Sequence, residues 1–192
     1  MTADSTPWNR LALIAELSER MEPKHGDFGH TALMKFMYLL QTLKGVPLEY
    51  NFTLYSYGPY DSSVLDDLSY ATSLDAVTDK VIHYPGGSYG YNIAPAQCAA
   101  QVKNKADAFL KDNKDKIDWV VEQFEGSSAS DLELISTIIY ADQELQQKKE
   151  KLLLNAFVTR VHNIKPHFTE AQVEKRTREA YASSMVCAVD LA

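Results

Sequence analysis

The five histidines and two cysteines are the side chains of this chain best suited to metal ligation or nucleophilic attack, and their spacing fits neither. No Gly-x-Ser-x-Gly, His-Glu-x-x-His, phosphate loop or Cys-x-x-Cys occurs. Gly86-Gly87-Ser88-Tyr89-Gly90 has the glycines of a phosphate cradle, but neither a helix start nor a lysine follows, so it reads as a hairpin turn. His162 and His167 straddle Pro166 and therefore do not share a helix face as i,i+4 zinc ligands would. Cys98 and Cys187 read as small buried hydrophobes. Asp131, Glu133 and Asp142 fall on one helix, the first two in its first turn, where carboxylates meet the positive end of the helix dipole. The expectation is a protein without catalytic, cofactor or metal residues.

Recognition chemistry is better represented. Tyr50, Phe52, Tyr55, Tyr57, Tyr60, Tyr70, Tyr84, Tyr89 and Tyr91 are crowded into one part of the chain. Tyrosine lines cores whose hydroxyls reach water, and it also enriches binding surfaces, because it offers large area at small entropic cost. An alternating strand cannot bury both faces, so some of these rings are expected at the surface, facing a protein partner.

These residues sit in a chain of 192 residues with 45% hydrophobic and 23% charged residues, the composition of one folded unit and not of a disordered segment. No apolar run is long enough to span a bilayer, the first residues lack the pattern of a signal peptide, and two cysteines make no disulfide framework. A cytoplasmic protein is expected. The net charge of −7 disfavours a nucleic-acid partner, whose binding rests on Lys and Arg. The basic residues from Lys103 to Arg178 alternate with Asp and Glu, which is the pattern of a solvated face.

The elements that position the tyrosines can be read in order. Thr6 and Pro7 start a helix carrying Leu11, Ile14 and Leu17, and residues 22–27 form a loop. A second helix spans 31–44, with Leu33, Phe36, Met37 and Leu40 inward and Gly45 as its cap. Residues 50–57 alternate as a strand that Gly58-Pro59 breaks. Asp61 or Ser62 caps a third helix with Val64, Leu65, Leu68 and Ala71 inward, and residues 81–93 form a hairpin about Pro85-Gly86-Gly87-Ser88. Residues 96–124 form one long helix or two with a bend near Asn113. Capping boxes at Ser130–Glu133 and Thr169–Gln172 open two more helices, the second flanked by Phe168 and Val173 as a staple, and another helix spans about 148–162.

The order helix, helix, strand, helix, hairpin resembles a winged helix-turn-helix. The fold expected is therefore α+β and mostly α. A winged-helix-like half (1–95) packs on a helical half (96–192), the two forming one cooperative unit. A winged fold reads DNA with its third helix. Here that helix carries Asp66 and Asp67 and no Lys or Arg, so it repels phosphates and offers no reader for guanine.

Three further blocks carry a family resemblance. They are Lys35-Phe36-Met37-Tyr38-Leu39-Leu40, Phe52-Thr53-Leu54-Tyr55-Ser56-Tyr57-Gly58-Pro59-Tyr60, and Leu65-Asp66-Asp67-Leu68. Together with 132–140 and 164–169 they resemble the YwgA-like bacterial proteins, related to the Panacea, or SocA-like, antitoxin domain. The resemblance implies no enzyme activity. It implies instead an antitoxin, or an adaptor that brings another protein to a protease, in a toxin–antitoxin or phage-defence setting. It marks Lys35, Tyr38, Tyr55, Tyr57, Gly58, Pro59, Tyr60 and Asp67 as the motif and candidate partner surface. A DNA-binding regulator of winged-helix type is the alternative, and an enzyme of unrecognised type a further one.

Overall fold

The computed structural model describes residues 6–22 and 28–191; all but the first residue of the loop expected at 22–27 lies outside them. The chain is mixed α+β and mostly helical, with small two-stranded sheets. In order, the elements are α1 (Thr6–Met21), α2 (His30–Lys44), β1 (Thr53–Tyr55), β2 (Gly58–Tyr60), α3 (Ser62–Ser73), β3 (Val77–His83) and β4 (Tyr89–Pro95). There follow α4 (Ala99–Asn104), α5 (Asp107–Asp112), α6 (Lys114–Phe124), α7 (Ala129–Lys148), β5 (Leu152–Leu153), α8 (Leu154–Ile164), α9 (Glu170–Ala182) and β6 (Val189–Asp190). Two compact units result. The first holds residues 1–53 and 60–128, the second 54–59 and 129–192.

In the first unit, Leu11, Leu13, Ile14 and Leu17 of α1 are buried, as are Leu33, Phe36, Met37 and Leu40 of α2. Val64, Leu68 and Ala71 of α3 and Ile117, Val120 and Phe124 of α6 complete this core, while Leu65 is only half-buried. The boundary expected at 95/96 falls instead at 128/129. The reason is ionic as well as apolar: Lys103 of α4 is paired with Glu16 (2.9 Å) and Glu19 of α1, and Arg20 with Asp118 of α6 (2.5 Å). These bonds bind α4 and α6 to α1. The 96–124 stretch is three helices, not one or two, with a break at Lys105-Ala106 besides that at Asn113.

The 50–60 region also differs from its expected form. Phe52 and Leu54 do alternate inward and Asn51, Thr53 and Tyr55 outward. Gly58-Pro59 does not end the strand, however; it returns it, because Gly58 adopts φ 89°, open to a residue without Cβ. β1 and β2 thus pair as a tight hairpin. Asp61 closes its base: the carboxylate caps α3 by accepting from Ser63 N–H (2.9 Å) and also accepts from Asn51 N–H (2.6 Å).

In the second unit α7 is buried without a break from Leu132 to Ile139. It begins at Ala129, so Ser130 lies inside the helix and is not its cap, and Glu133 is buried instead of reaching back to a terminus. α7 runs on to Lys148, where Lys149 turns left-handed (φ 58°) and Glu150 N–H donates to Leu145 O. Residues 149–153 are therefore not helical, contrary to the expected helix over about 148–162, which begins only at Leu154, and Leu152–Leu153 pairs in parallel with Val189–Asp190. The buried carboxylate of Asp142 holds the chain end, accepting from the N–H groups of Cys187 (3.1 Å) and Ala188 (2.7 Å). Cys187 is exposed and Cys98 half-buried, so the first departs from the buried role expected of it. The Thr169–Gln172 capping box is complete, and Phe168 and Val173 beside it are buried.

Candidate functional site

The 54–59 turn presents Tyr55 and Tyr57 at 66% and 69% exposure, among the most exposed large side chains described. Exposed aromatic rings need a rigid base if they are to bind without a large ordering cost. That base is built by α7 and the end of α8. Lys165 follows α8, its N–H bonded to Val161 O, and Pro166 prevents another turn. The Lys165 side chain is buried, and its ammonium meets Glu133 Oε1 at 2.9 Å, Tyr55 O at 3.3 Å and Ser56 O. Two of these contacts are hydrogen bonds to carbonyls and the third is an ion pair with Glu133. Both carbonyls are main-chain groups of the tyrosine turn itself.

The surroundings of the pair are fixed in turn. Glu133 O accepts from the hydroxyls of Ser136 (3.1 Å) and Thr137 (2.8 Å). Exposed His167 lies 3.4 Å from Glu133 Oε1 and rests on the Phe168 ring, while His162 Nδ1 is 2.8 Å from Phe168 O. The segment 165–169 therefore carries a buried cation inward and an imidazole outward, and the capping box of α9 sets its end.

The other motif residues lie in the first unit, and most are turned inward. Lys35 and Tyr38 of α2 are buried, Tyr38 meeting Phe52 edge-on at 5.2 Å. Tyr60 and Asp67 are half-buried, and Gly58 and Pro59 of the second unit are buried. Asp67 belongs to a polar cluster: Tyr50 Oη donates to its Oδ2 (2.7 Å), Arg10 lies 3.6 Å from the same oxygen, and the Arg10 guanidinium stacks 4.1 Å above the Tyr50 ring. Burial raises the Asp67 carboxyl above its ordinary range despite the hydrogen bond from Tyr50 and the charge of Arg10. Burial, then the Asp67 charge, pushes the Tyr50 phenol far upward and keeps it a donor. Gln41 grips the Tyr50 main chain with both ends of its amide, each bond 2.9 Å. Arg10 also donates to the carbonyls of Leu48 and Glu49. This cluster fixes the chain entering the hairpin and offers no open reactive group.

Comparisons of the chain with protein-family models, with curated proteins and with solved structures find no match. Among the described residues no group of three or more His, Cys, Asp or Glu side chains could hold a metal ion, and no helix is long and apolar enough to cross a membrane.

Sequence reasoning singled out the tyrosines but missed their anchor. Glu133 had the form of a capping residue, and Lys165 was expected on a solvated face with the other basic residues of the second half, whereas it is buried. The available signal was a carboxylate set between Leu132 and Leu134-Ile135, where burial requires a cation.

Proposed function

We propose that the protein is a non-catalytic interaction module that docks a protein partner through the Tyr55–Tyr57 turn. One observation carries this reading: two neighbouring tyrosines stand in solvent on a turn whose carbonyls are held by a buried lysine. A pre-ordered aromatic surface loses little conformational freedom on binding. The resemblance of the Lys35–Leu40 and Tyr55–Tyr60 blocks to YwgA-like and Panacea proteins supports a more specific version. In it the partner is a toxin or other effector that the protein neutralises or delivers, in the cytoplasm of a bacterium. The order of α1, α2, the first hairpin, α3 and the β3–β4 ribbon is then a winged-helix-like scaffold adapted to protein binding. The composition of α3 supports a protein over a duplex, for Asp66 is exposed and no Lys or Arg occurs on that helix.

The test is affinity capture from nuclease-treated host lysate with wild-type protein and with Tyr55→Ser/Tyr57→Ser. Both rings are exposed, so the variant should match the wild type in circular dichroism and thermal midpoint. A stoichiometric partner lost in the variant is the expected result. Equal capture by both proteins, no capture, or recovery of nucleic acid alone when nuclease is omitted would overturn the proposal.

A further inference from the structure

The peptide bonds described are all trans, so each C=O points opposite to the N–H of the residue that follows it. The carbonyls of Tyr55 and Ser56 are both turned inward, to the buried Lys165 ammonium. The N–H groups of Ser56 and Tyr57 must then point the other way, out of the protein. Tyr55, Ser56 and Tyr57 are all exposed, and neither N–H bonds to a described residue.

In an ordinary exposed turn such donors are spent on water. Here the ammonium fixes the planes of both peptide groups, and by drawing electron density toward each oxygen it makes each N–H a stronger donor. The hydroxyls of Tyr55, Ser56 and Tyr57 belong to the same exposed stretch and add further donors. No Asp or Glu lies between Glu49 and Asp61, so the turn carries no carboxylate of its own to occupy them. The two carbonyls that would attract a cation face inward. Because Glu133 balances the Lys165 charge at 2.9 Å, what the turn offers an anion is oriented donors, not net charge.

We propose that the turn binds a carboxylate, the side chain of an Asp or Glu on the protein partner, through the N–H groups of Ser56 and Tyr57. Two consecutive main-chain donors match the two oxygens of a carboxylate, one bond to each, as in other anion-binding turns. Bonds from N–H to an ionised acceptor are about twice as strong as neutral ones. The Tyr55 and Tyr57 rings supply apolar contact area beside the charge. This assignment rests on the reading of the turn as a docking surface and adds what that surface selects, an acidic segment.

Nuclear magnetic resonance of the isotope-labelled full chain tests the proposal without the partner. The probe is a tripeptide blocked at both ends, acetyl-Ala-Glu-Ala-amide, compared with acetyl-Ala-Gln-Ala-amide at equal ionic strength. The Glu peptide should move the Ser56 and Tyr57 amide protons downfield and saturably, and the Gln peptide should not. Ser56→Pro deletes one donor. The φ of Ser56 is not positive, Tyr55 before it lies in a strand, and the lost N–H faces solvent, so the turn accepts proline. This variant should bind the Glu peptide at least about tenfold more weakly, read at the Tyr57 amide, with unchanged circular dichroism. Ser56→Ala, which keeps both N–H groups, should stay within about threefold of the wild type. Equal shifts with both peptides, no shift at Ser56 and Tyr57, or shifts only with a Gln peptide left with a free C-terminal carboxylate would overturn the proposal. A Ser56→Pro variant that binds as the wild type does overturns it too. Binding of the Glu peptide with no partner captured from lysate supports the carboxylate site and removes only the docking reading.

Discussion

The Lys165 ammonium lies 2.9 Å from Glu133 Oε1 with both side chains almost wholly withdrawn from water. Lys165 also donates to the carbonyls of Tyr55 and Ser56, so its ammonium joins α7, the end of α8 and the tyrosine turn. A buried pair of this kind contributes little over an apolar pair of the same shape, yet it is costly to break from one side.

Lys165→Met should therefore destabilise the protein by about 3–5 kcal/mol, leaving Glu133 buried and uncompensated. The double variant Lys165→Met/Glu133→Leu should recover much of this loss, while the Tyr55–Tyr57 turn exchanges its amide protons faster than in the wild type. Urea unfolding and hydrogen exchange of the three proteins measure both effects. A double variant as unstable as the single one would show that the carbonyl contacts, not the uncompensated charge, dominate.

Acid should weaken the contact between α1 and α4. Burial alone would raise the Glu16 carboxyl, but hydrogen bonds from Lys103 and Arg20 outweigh it and hold the group below its ordinary value of 4.5. A depressed carboxyl contributes stability that is present in full above the ordinary value and is lost as pH falls through the lower folded value. Asp67 acts in the opposite sense: with its carboxyl raised, its contribution is present below its ordinary value of 3.8 and is lost as pH rises through the raised one. Glu16→Gln should thus be less stable than wild type at neutral pH and should lose less stability on acidification below about pH 4.5. Urea midpoints of both proteins across the acid range check this, and parallel curves would contradict it.

Lys149 ends α7 at φ 58°, a conformation that costs a residue with Cβ roughly 1–2 kcal/mol. Lys149→Gly should raise stability, by up to about 1 kcal/mol once glycine's greater unfolded freedom is subtracted. Lys149→Val, β-branched, should lower it. Thermal midpoints of the two variants should move in opposite directions.

Much of the secondary structure is legible in the residue order, because it depends on neighbours a few positions apart. Leu33, Phe36, Met37 and Leu40 recur at the helical period, Gly45 closes their helix, and Thr169 with Gln172 caps another. The ribbon about Gly86-Gly87 is equally local. The helix ends at Asp75, Lys149 and Ser184 are not legible in this way. All three are left-handed without glycine, and their residue types do not announce it. The exposure of Tyr55 follows from strand alternation and that of Tyr57 from its place in the turn, but the anchoring of that turn is not legible. It depends on Glu133 and Lys165, which are distant in sequence and stand next to each other only once α7 and α8 have packed. The sequence by itself determined that α1, α2, α3 and α9 are helical and that the third helix is acidic. The tertiary structure alone decided that α4–α6 belong with α1 and α2, and that a buried cation holds the tyrosine turn. Burial and ion pairing act between residues remote along the chain, and only the folded arrangement sets those distances.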